Sequence, residues 1–456
     1  MNSPLSIVIM AAGKGTRMKS ERPKVLHPLA GRSLLDHVRN AVAPLAADRV
    51  LVIVGHKAEQ VEASLEDSGA RCIVQAPQLG TGHAVQQAVP QLPDGGTTLI
   101  LNGDVPLIAT DTARALVDAC GGRALALLTV VLDDPTGYGR IVRDGDAVQA
   151  IVEHKDTTQA QRAIREGYTG MMAAPTAWLK RAVMAIGNEN AQKEYYLTDL
   201  VAMAVRDGVP VVATRAHDET EVLGVNSPLQ LAELERRFQR REAERLMEAG
   251  VRLADPARFD LRGKITHGAD VAIDVGCVFE GDVTLGDGVA IGAHCVIRDA
   301  VIDAGAVIHP FTLVEGATVG AGALVGPYAR LRPGAVLGAE VHIGNFVEVK
   351  NSTLGKGAKA NHLAYLGDAT VGERVNYGAG SITANYDGAN KHRTTIGNDA
   401  HIGSNSVLVA PVTIGDGATV GGGSTIAKDV AAGQLALTRA KQVTIEGWQR
   451  PKKKAK

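Results

Sequence analysis

Gly13, Gly15, Thr16, Arg17 and Lys24 crowd the stretch MAAGKGTRMKSERPK, residues 10 to 24, which follows the apolar run Leu5 to Ile9. A strand that empties into a glycine turn exposes backbone N–H groups suited to an anion. Arginine can fork onto phosphate oxygens and lysine adds a point charge, so this loop is predicted to hold phosphate. It is neither a dinucleotide fingerprint, because Met18 stands where the third glycine belongs, nor a Walker loop, because the spacing before Lys14 is wrong. Asp104, in Leu101-Asn102-Gly103-Asp104, lies just past another apolar run and at the same predicted crevice edge. Its carboxylate, with an amide oxygen from Asn226 at the end of the strand-like Glu221 to Val225, suits magnesium, a hard ion often shared with substrate phosphates. Farther on, Arg332, Lys350, His362, Tyr365, Asn376, Asn385, Tyr386 and Lys391 interrupt a small and aliphatic pattern. Their grouping around Asn361 to Tyr365 and the polar insertion ITANYDGANKHRTT, residues 382 to 395, points to a second site, since loops that break a repeat tend to carry function.

The elements that must position the first group alternate. Val50 to Val54 precedes a helical pattern at Lys57 to Asp67, Arg71 to Gln75 precedes Gly82 to Gln91, and Thr97 to Leu101 precedes Asp111 to Cys120. Strands alternating with helices of this length predict βαβ units and a mostly parallel sheet, with ligands beyond the carboxyl ends of the strands, where the opening loop falls. Asp144-Gly145 adds a hairpin signal. From Ser227-Pro228 to Gly250 the highly charged LQLAELERRFQRREAERLMEA reads as an exposed connecting helix, with Ser227 as cap, Pro228 in the first turn and Gly250 at the end.

The second half counts in sixes. Ile273, Phe279, Leu285, Ile291 and Ile297 are followed after a five-residue step by Ile302, Ile308 and Val314, then by Val319, Val325, Leu331, Leu337, Ile343 and Val349. The series returns at Ile396, Ile402, Leu408, Ile414, Val420 and Ile426. No helix keeps a strict six-residue period on one face, whereas a three-sided parallel β-helix with one apolar residue per side does. Regular outward Thr or aromatic ladders, the mark of a β-helix used as a binding surface, are not evident. The chain thus divides into an α/β domain at 1–228, a linker helix at 229–249 and a β-helix with a tail at 250–456.

A chain of 456 residues exceeds one typical core, and a net charge of -1 gives no electrostatic case for nucleic acid. The run Arg450 to Lys456 is predicted to be a solvated end. Cys72, Cys120, Cys277 and Cys295 are too scattered for a disulfide framework or a zinc site and read as buried thiols in a reducing compartment. With no leader after Met1 and no long apolar stretch, a soluble cytoplasmic protein without membrane partners is expected.

The motifs AAGKGTRMKSERPK, QLGTGHA (78 to 84), NGDVPL, GYGRI (137 to 141), VEHKD, EYYLTD and LGVN together resemble the bacterial bifunctional N-acetylglucosamine-1-phosphate uridyltransferase / glucosamine-1-phosphate N-acetyltransferase family, over essentially the whole chain. For the first half the resemblance implies a Rossmann-like nucleotidyltransferase domain in which Met10, Ala11, Gly13, Arg17, Lys24, Gln75, Gly80 and Thr81 surround UTP. Asp104 and Asn226 would hold Mg2+, and Gly139 and Glu153 would contact the sugar. Asn102 stands where the family usually has Tyr, and Tyr168, expected near the sugar or ribose, where it usually has Asn.

The second half resembles hexapeptide-repeat acyltransferases, which implies a left-handed parallel β-helix, a homotrimer and active sites between chains. His362 would be the general base for attack of the amine on acetyl-CoA, a role that a near-neutral imidazole suits. Arg332 and Lys350 would bind the 1-phosphate, Tyr365, Asn376 and Lys391 the sugar, and Ala379, Asn385, Tyr386, Ser404, Gly422 and Arg439 acetyl-CoA. Gly422 replaces the family's usual Ala. The expected product is UDP-N-acetylglucosamine, for peptidoglycan and lipopolysaccharide. Two other readings stand beside this one: a nucleotidyltransferase for another hexose phosphate with a β-helix that only oligomerises it, and a non-catalytic sugar-sensing assembly protein.

Overall fold

The computed structural model describes residues 3–190 and 192–453 and divides them into two compact units, one ending at Phe238 and one beginning at Gln239. The last three residues of the basic run Arg450 to Lys456 lie outside the described residues.

In the first unit the β-branched runs form one sheet, ordered Val211–Arg215, Leu125–Val131, Glu166–Pro175, Thr97–Asn102, Leu5–Met10, Arg49–Val54, Arg71–Val74. Leu5–Met10 pairs in parallel with both Arg49–Val54 and Thr97–Asn102. The sheet is mixed rather than mostly parallel, because Glu166–Pro175 runs antiparallel to Thr97–Asn102, to Leu125–Val131 and to Gly139–Asp144. The hairpin signalled by Asp144-Gly145 joins Gly139–Asp144 to Ala147–Val152. Apolar side chains cover both faces, with Ile7, Ile9, Leu99 and Leu101 packing on one side and Val8, Ile53, Ile100 and Leu127 on the other. That two-sided burial is why these strands read as continuous apolar runs.

Helices follow the strands: Ala58–Ala63 and Thr81–Ala88 are shorter than their patterns, whereas Thr110–Cys120 matches its pattern to within one residue. Glu221 to Val225 is not a strand. Glu219–Val222 forms a 3-10 turn whose entry is closed by the Asp218 side chain accepting from the Thr220 N–H, and Glu221 is committed to the Thr112 hydroxyl at 2.5 Å.

The helix Pro228–Glu248 starts with the Ser227 hydroxyl accepting from the Gln230 N–H at 3.3 Å, and the chain leaves it through Gly250 at φ +98°. It is not exposed all round. Within the first unit Leu234 is buried, and within the second Gln239, Ala243 and Leu246 are buried, with Gln239 exchanging two hydrogen bonds with the Leu261 backbone.

The second unit is a parallel β-helix. Ala272 pairs with Ala290 and Ala290 with Val307, so a coil takes 17 or 18 residues, three sides of about six. All twenty residues of the six-residue series are buried. Between Val349 and Ile396 the same inward positions are filled by Leu354, Ala360, Leu366, Val371, Tyr377 and Thr383, all buried. Up to Thr383 the period therefore does not lapse; small, aromatic and hydroxyl side chains hide it. The insertion is narrower than 382 to 395, because Ile382–Ala384 and Thr394–Ile396 are strands of the coil and only 385–393 leaves it.

One corner turns through left-handed backbone at His294, Phe311, Tyr328, Phe346, Leu363, Gly380, Asn405 and Gly423. On it His294, Phe311, Tyr328 and Phe346 stack with centroids 5.0–5.4 Å apart, and Phe311, Tyr328, Phe346 and Leu363 are exposed. An outward aromatic ladder is thus present, contrary to the sequence-based expectation. Its members lie 17 or 18 residues apart, so no local pattern shows it.

Candidate functional site

In the first unit the opening loop turns at Gly15, φ +59°, where a Cβ would lie 2.7 Å from that of Lys24. Only glycine permits both the backbone and the close pass of the lysine. Lys24 Nζ is ion-paired with Asp104 and donates to Asn226 Oδ1 at 3.1 Å, so a carboxylate oxygen and an amide oxygen converge on one positive centre. Among the described residues no group of three or more His, Cys, Asp or Glu could hold a metal. Two oxygens fit an ion that completes its shell with water and substrate phosphate, which is the habit of magnesium.

Two adjoining cavities meet at this point. One, of about 450 Å³, is lined by Met10, Ala11, Gly13, Lys24, Gln75, Gly80 and Thr81 together with Asn102 and Asp104. The other, of about 550 Å³, is lined by Arg17, Gly139, Glu153, Tyr168 and Asn226, and again by Met10, Thr81, Asn102 and Asp104. The expected nucleotide residues, except Arg17, sort into the first cavity and the expected sugar residues into the second. Gly80, φ +107°, lets the chain pass Tyr195, whose carbonyl would lie 2.7 Å from a Cβ there.

Asn102 lies across Gly170, where a Cβ would meet its amide nitrogen, and donates to the Thr169 carbonyl at 3.4 Å. The Tyr168 hydroxyl is buried with no hydrogen-bond partner among the described residues, and burial with the nearby Glu153 pushes it well above the usual phenol range. Burial also raises the Glu153 carboxyl, against a hydrogen bond from the Thr198 hydroxyl at 3.1 Å. Thr198 also lines the larger cavity and went unassigned, although it belongs to the EYYLTD motif. Thr136, beside GYGRI, and Tyr138, within it, were likewise missed.

In the second unit strand register does the assembling. Asn345 pairs with His362, and the His362 carbonyl accepts from the Gly380 N–H. The Ala379 carbonyl accepts from the Asn405 N–H and the Ser404 carbonyl from the Gly423 N–H. His362, Ala379, Ser404 and Gly422 therefore stand in one column beside the left-handed corner, and Arg439 lies near its upper end, 3.9 Å from a Cβ built on Gly423. Below His362 the corner carries rings; above it, Gly380, Asn405 and Gly423 leave the column open. His362 Nδ1 lies 3.0 Å from Asn345 Oδ1. An amide oxygen only accepts, so Nδ1 carries the proton and the exposed Nε2 keeps a free lone pair.

Arg332 is tied to Glu348 at 2.8 Å, Glu348 pairs in register with Tyr365, and Lys350 stands 3.9 Å from Asp368. Lys391 comes from the inserted loop to lie against Lys350, whose hydrogen-bonding contact and charge lower the pKa of Lys391. Asn385 is buried and donates to Asp368, while Tyr386 is exposed. Asn376 is not brought to this group: it lies on another sheet of the β-helix, 3.2 Å from His401.

Residues 7–252 match the MobA-like NTP transferase domain, 261–356 the GMPPB C-terminal domain and 393–428 the bacterial transferase hexapeptide of six repeats. The chain is 73% identical to the bifunctional protein GlmU of Methylibium petroleiphilum, over 99% of this chain and 100% of that one. It is 65% identical to the protein of that name from Paracidovorax citrulli, over 99% of each, and 64% identical to that of Albidiferax ferrireducens, over 98% and 100%. The β-helix is thus the left-handed one of hexapeptide repeats, and the chain belongs to the GlmU family of bifunctional enzymes, which acetylate glucosamine-1-phosphate and uridylylate the product to make UDP-N-acetylglucosamine.

Proposed function

We propose the following division of labour. In the first unit Met10, Ala11, Gly13, Arg17, Lys24, Gln75, Gly80 and Thr81 bind UTP, while Gly139, Glu153, Asn102 and Tyr168 shape the sugar side. Asp104 and Asn226 hold magnesium, which when bound neutralises charge gathering on the departing pyrophosphate. An oxygen of the sugar 1-phosphate attacks the α-phosphorus; the new P–O bond forms as the bond to pyrophosphate breaks. Positioning and charge neutralisation carry such a displacement. The convergence of Asp104 and Asn226 on Lys24, where the two cavities meet, supports this reading.

In the second unit Nε2 of His362 takes a proton from the glucosamine amine as its nitrogen bonds to the thioester carbon and the C–S bond breaks. Asn345 keeps the imidazole in the tautomer that can do so. Arg332 and Lys350 bind the phosphate, Tyr365, Asn376 and Lys391 the sugar, and Ala379, Asn385, Tyr386, Ser404, Gly422 and Arg439 acetyl-CoA. The column from His362 to Gly422 carries this half. A homotrimer fits the exposed ladder and the placement of Asn376 on a different sheet from Lys350, since one substrate reaches both when a second copy supplies one of them. The chain works in the cytoplasm, where both nucleotide and thioester substrates are made.

Two variants test the assignment against each other. Asp104→Ala should cut magnesium-dependent pyrophosphate release by about 100-fold or more and leave acetyl transfer intact, and His362→Ala should do the reverse. Normal acetyl transfer by a folded His362→Ala protein removes that histidine as the base and revives a β-helix that only assembles the enzyme.

A further inference from the structure

Another corner of the β-helix turns through left-handed backbone at Gly281, Asp299, Gly316, Gly334, Asn351 and Asp368, with φ between +45° and +80°. Gly, Asn and Asp are the residues that tolerate it. Tyr365 pairs with Ile382, so the next rung above Asp368 is Asn385, and there the chain departs into the loop 385–393. Both ends of that loop are tied to Asp368: Asn385 Nδ2 donates to its carboxylate, and the Thr394 N–H donates to its carbonyl at 3.2 Å. The other carboxylate oxygen accepts from Asn351 Nδ2 at 2.5 Å, one rung below. Lys350 lies 3.9 Å away, with Lys391 of the loop against it.

Asp368 is only 7% exposed. Burial opposes its charge, but the amides of Asn351 and Asn385 and the ammoniums of Lys350 and Lys391 outweigh burial and hold the carboxyl below its ordinary range. This buried and fully engaged carboxylate links a residue of the phosphate side, Lys350, to one of the thioester side, Asn385.

We propose that Asp368 is a positioning residue for acetyl transfer: its carboxylate clasps Asn385 and the loop root to the rung below, and its charge lets Lys350 and Lys391 stand together facing one phosphate. The inference rests on the substrate roles given above to Lys350, Asn385 and Lys391. Asp368 itself touches no substrate.

The test uses the full-length enzyme and measures KM for glucosamine-1-phosphate and for acetyl-CoA, kcat, uridylyl transfer and the unfolding midpoint. Asp368→Asn keeps the shape and tolerates the same backbone, but its single amide oxygen accepts from one neighbour while its own NH2 faces the other donor. Both KM values should rise about tenfold with uridylyl transfer unchanged, the size expected for one hydrogen bond to a charged group. The exchange Asn351→Asp with Asp368→Asn restores both amide hydrogen bonds and keeps one carboxylate in the cluster, because the new amide accepts from Asn385 and donates to the new carboxylate one rung below, at the residue next to Lys350 in the chain. It should return both KM values to within about threefold of wild type. Unchanged KM values in Asp368→Asn, with or without a lower midpoint, overturn the proposal, as does a folded double variant whose KM values stay high. Should Asp368→Asn not fold, the double variant alone decides. Lys350→Ala and Asn385→Ala separate the premises: if neither alters a KM, the reading of the site falls and the clasp with it, whereas raised KM values there with none in Asp368→Asn sink the clasp alone.

Discussion

Glu153 shows how burial and chemistry pull against each other at one side chain. It lines the larger cavity, its carboxyl accepts from Thr198, and burial holds its pKa above the ordinary glutamate value of 4.5. A carboxyl with a raised folded pKa costs nothing while protonated in both states. The cost appears as pH climbs past the unfolded value and is complete above the folded one. Glu153→Gln should therefore match wild type in unfolding midpoint below about pH 4 and exceed it increasingly toward neutrality. The same change should raise KM for N-acetylglucosamine-1-phosphate about tenfold or more, as expected for losing a charged hydrogen-bond partner. An equal midpoint difference at all pH values contradicts the buried charge. The residues that drew attention by type, Lys24, Asp104 and Asn226, do meet in space. Thr198, Asn345 and Asp368 drew none, because each acts through a partner that sequence spacing does not disclose.

Strands of two or three residues would be unstable alone, and in the β-helix they persist because each inward side chain stacks on the next coil about 4.8 Å away. Ile343 sits in His342–Asn345, directly below the strand that carries His362. Ile343→Ala should cost about 2–5 kcal/mol in the second unit's stability, read as a lower denaturant midpoint, and should weaken acetyl transfer while uridylyl transfer persists. Cys277 and Cys295 are buried inside the same stack, their thiols pushed up by burial to about 11 and about 12. Cys120 is buried too and Cys72 is half-buried, so a thiol reagent should label at most Cys72 in the native protein and all four after denaturation. Rapid native labelling of more than one would show that the coils breathe. At this scale the apolar period was legible wherever it was aliphatic, and it vanished at Ala360, Tyr377 and Thr383. Glu221 to Val225 misled because its alternation serves a turn, with Glu221 engaged by Thr112.

Among the described residues no helix is long and apolar enough to cross a membrane, and the β-helix carries an exposed apolar ladder from Phe311 to Leu363. Sedimentation equilibrium should give three times the chain's 47.5 kDa; a monomer that carries out both reactions would remove the homotrimer from the account. By itself the sequence determined the two architectures and the family, and singled out the glycine loop as the candidate phosphate site, because apolar period, glycine turns and short motifs are local properties of the chain. Only the tertiary structure decided which distant groups meet: Lys24 with Asn226 at a separation of 202 residues, the corner ladder, and Asp368 with the loop that follows it. Those encounters are set by the pairing of strands and by coil register, in which one residue of slip would send each side chain to the opposite face.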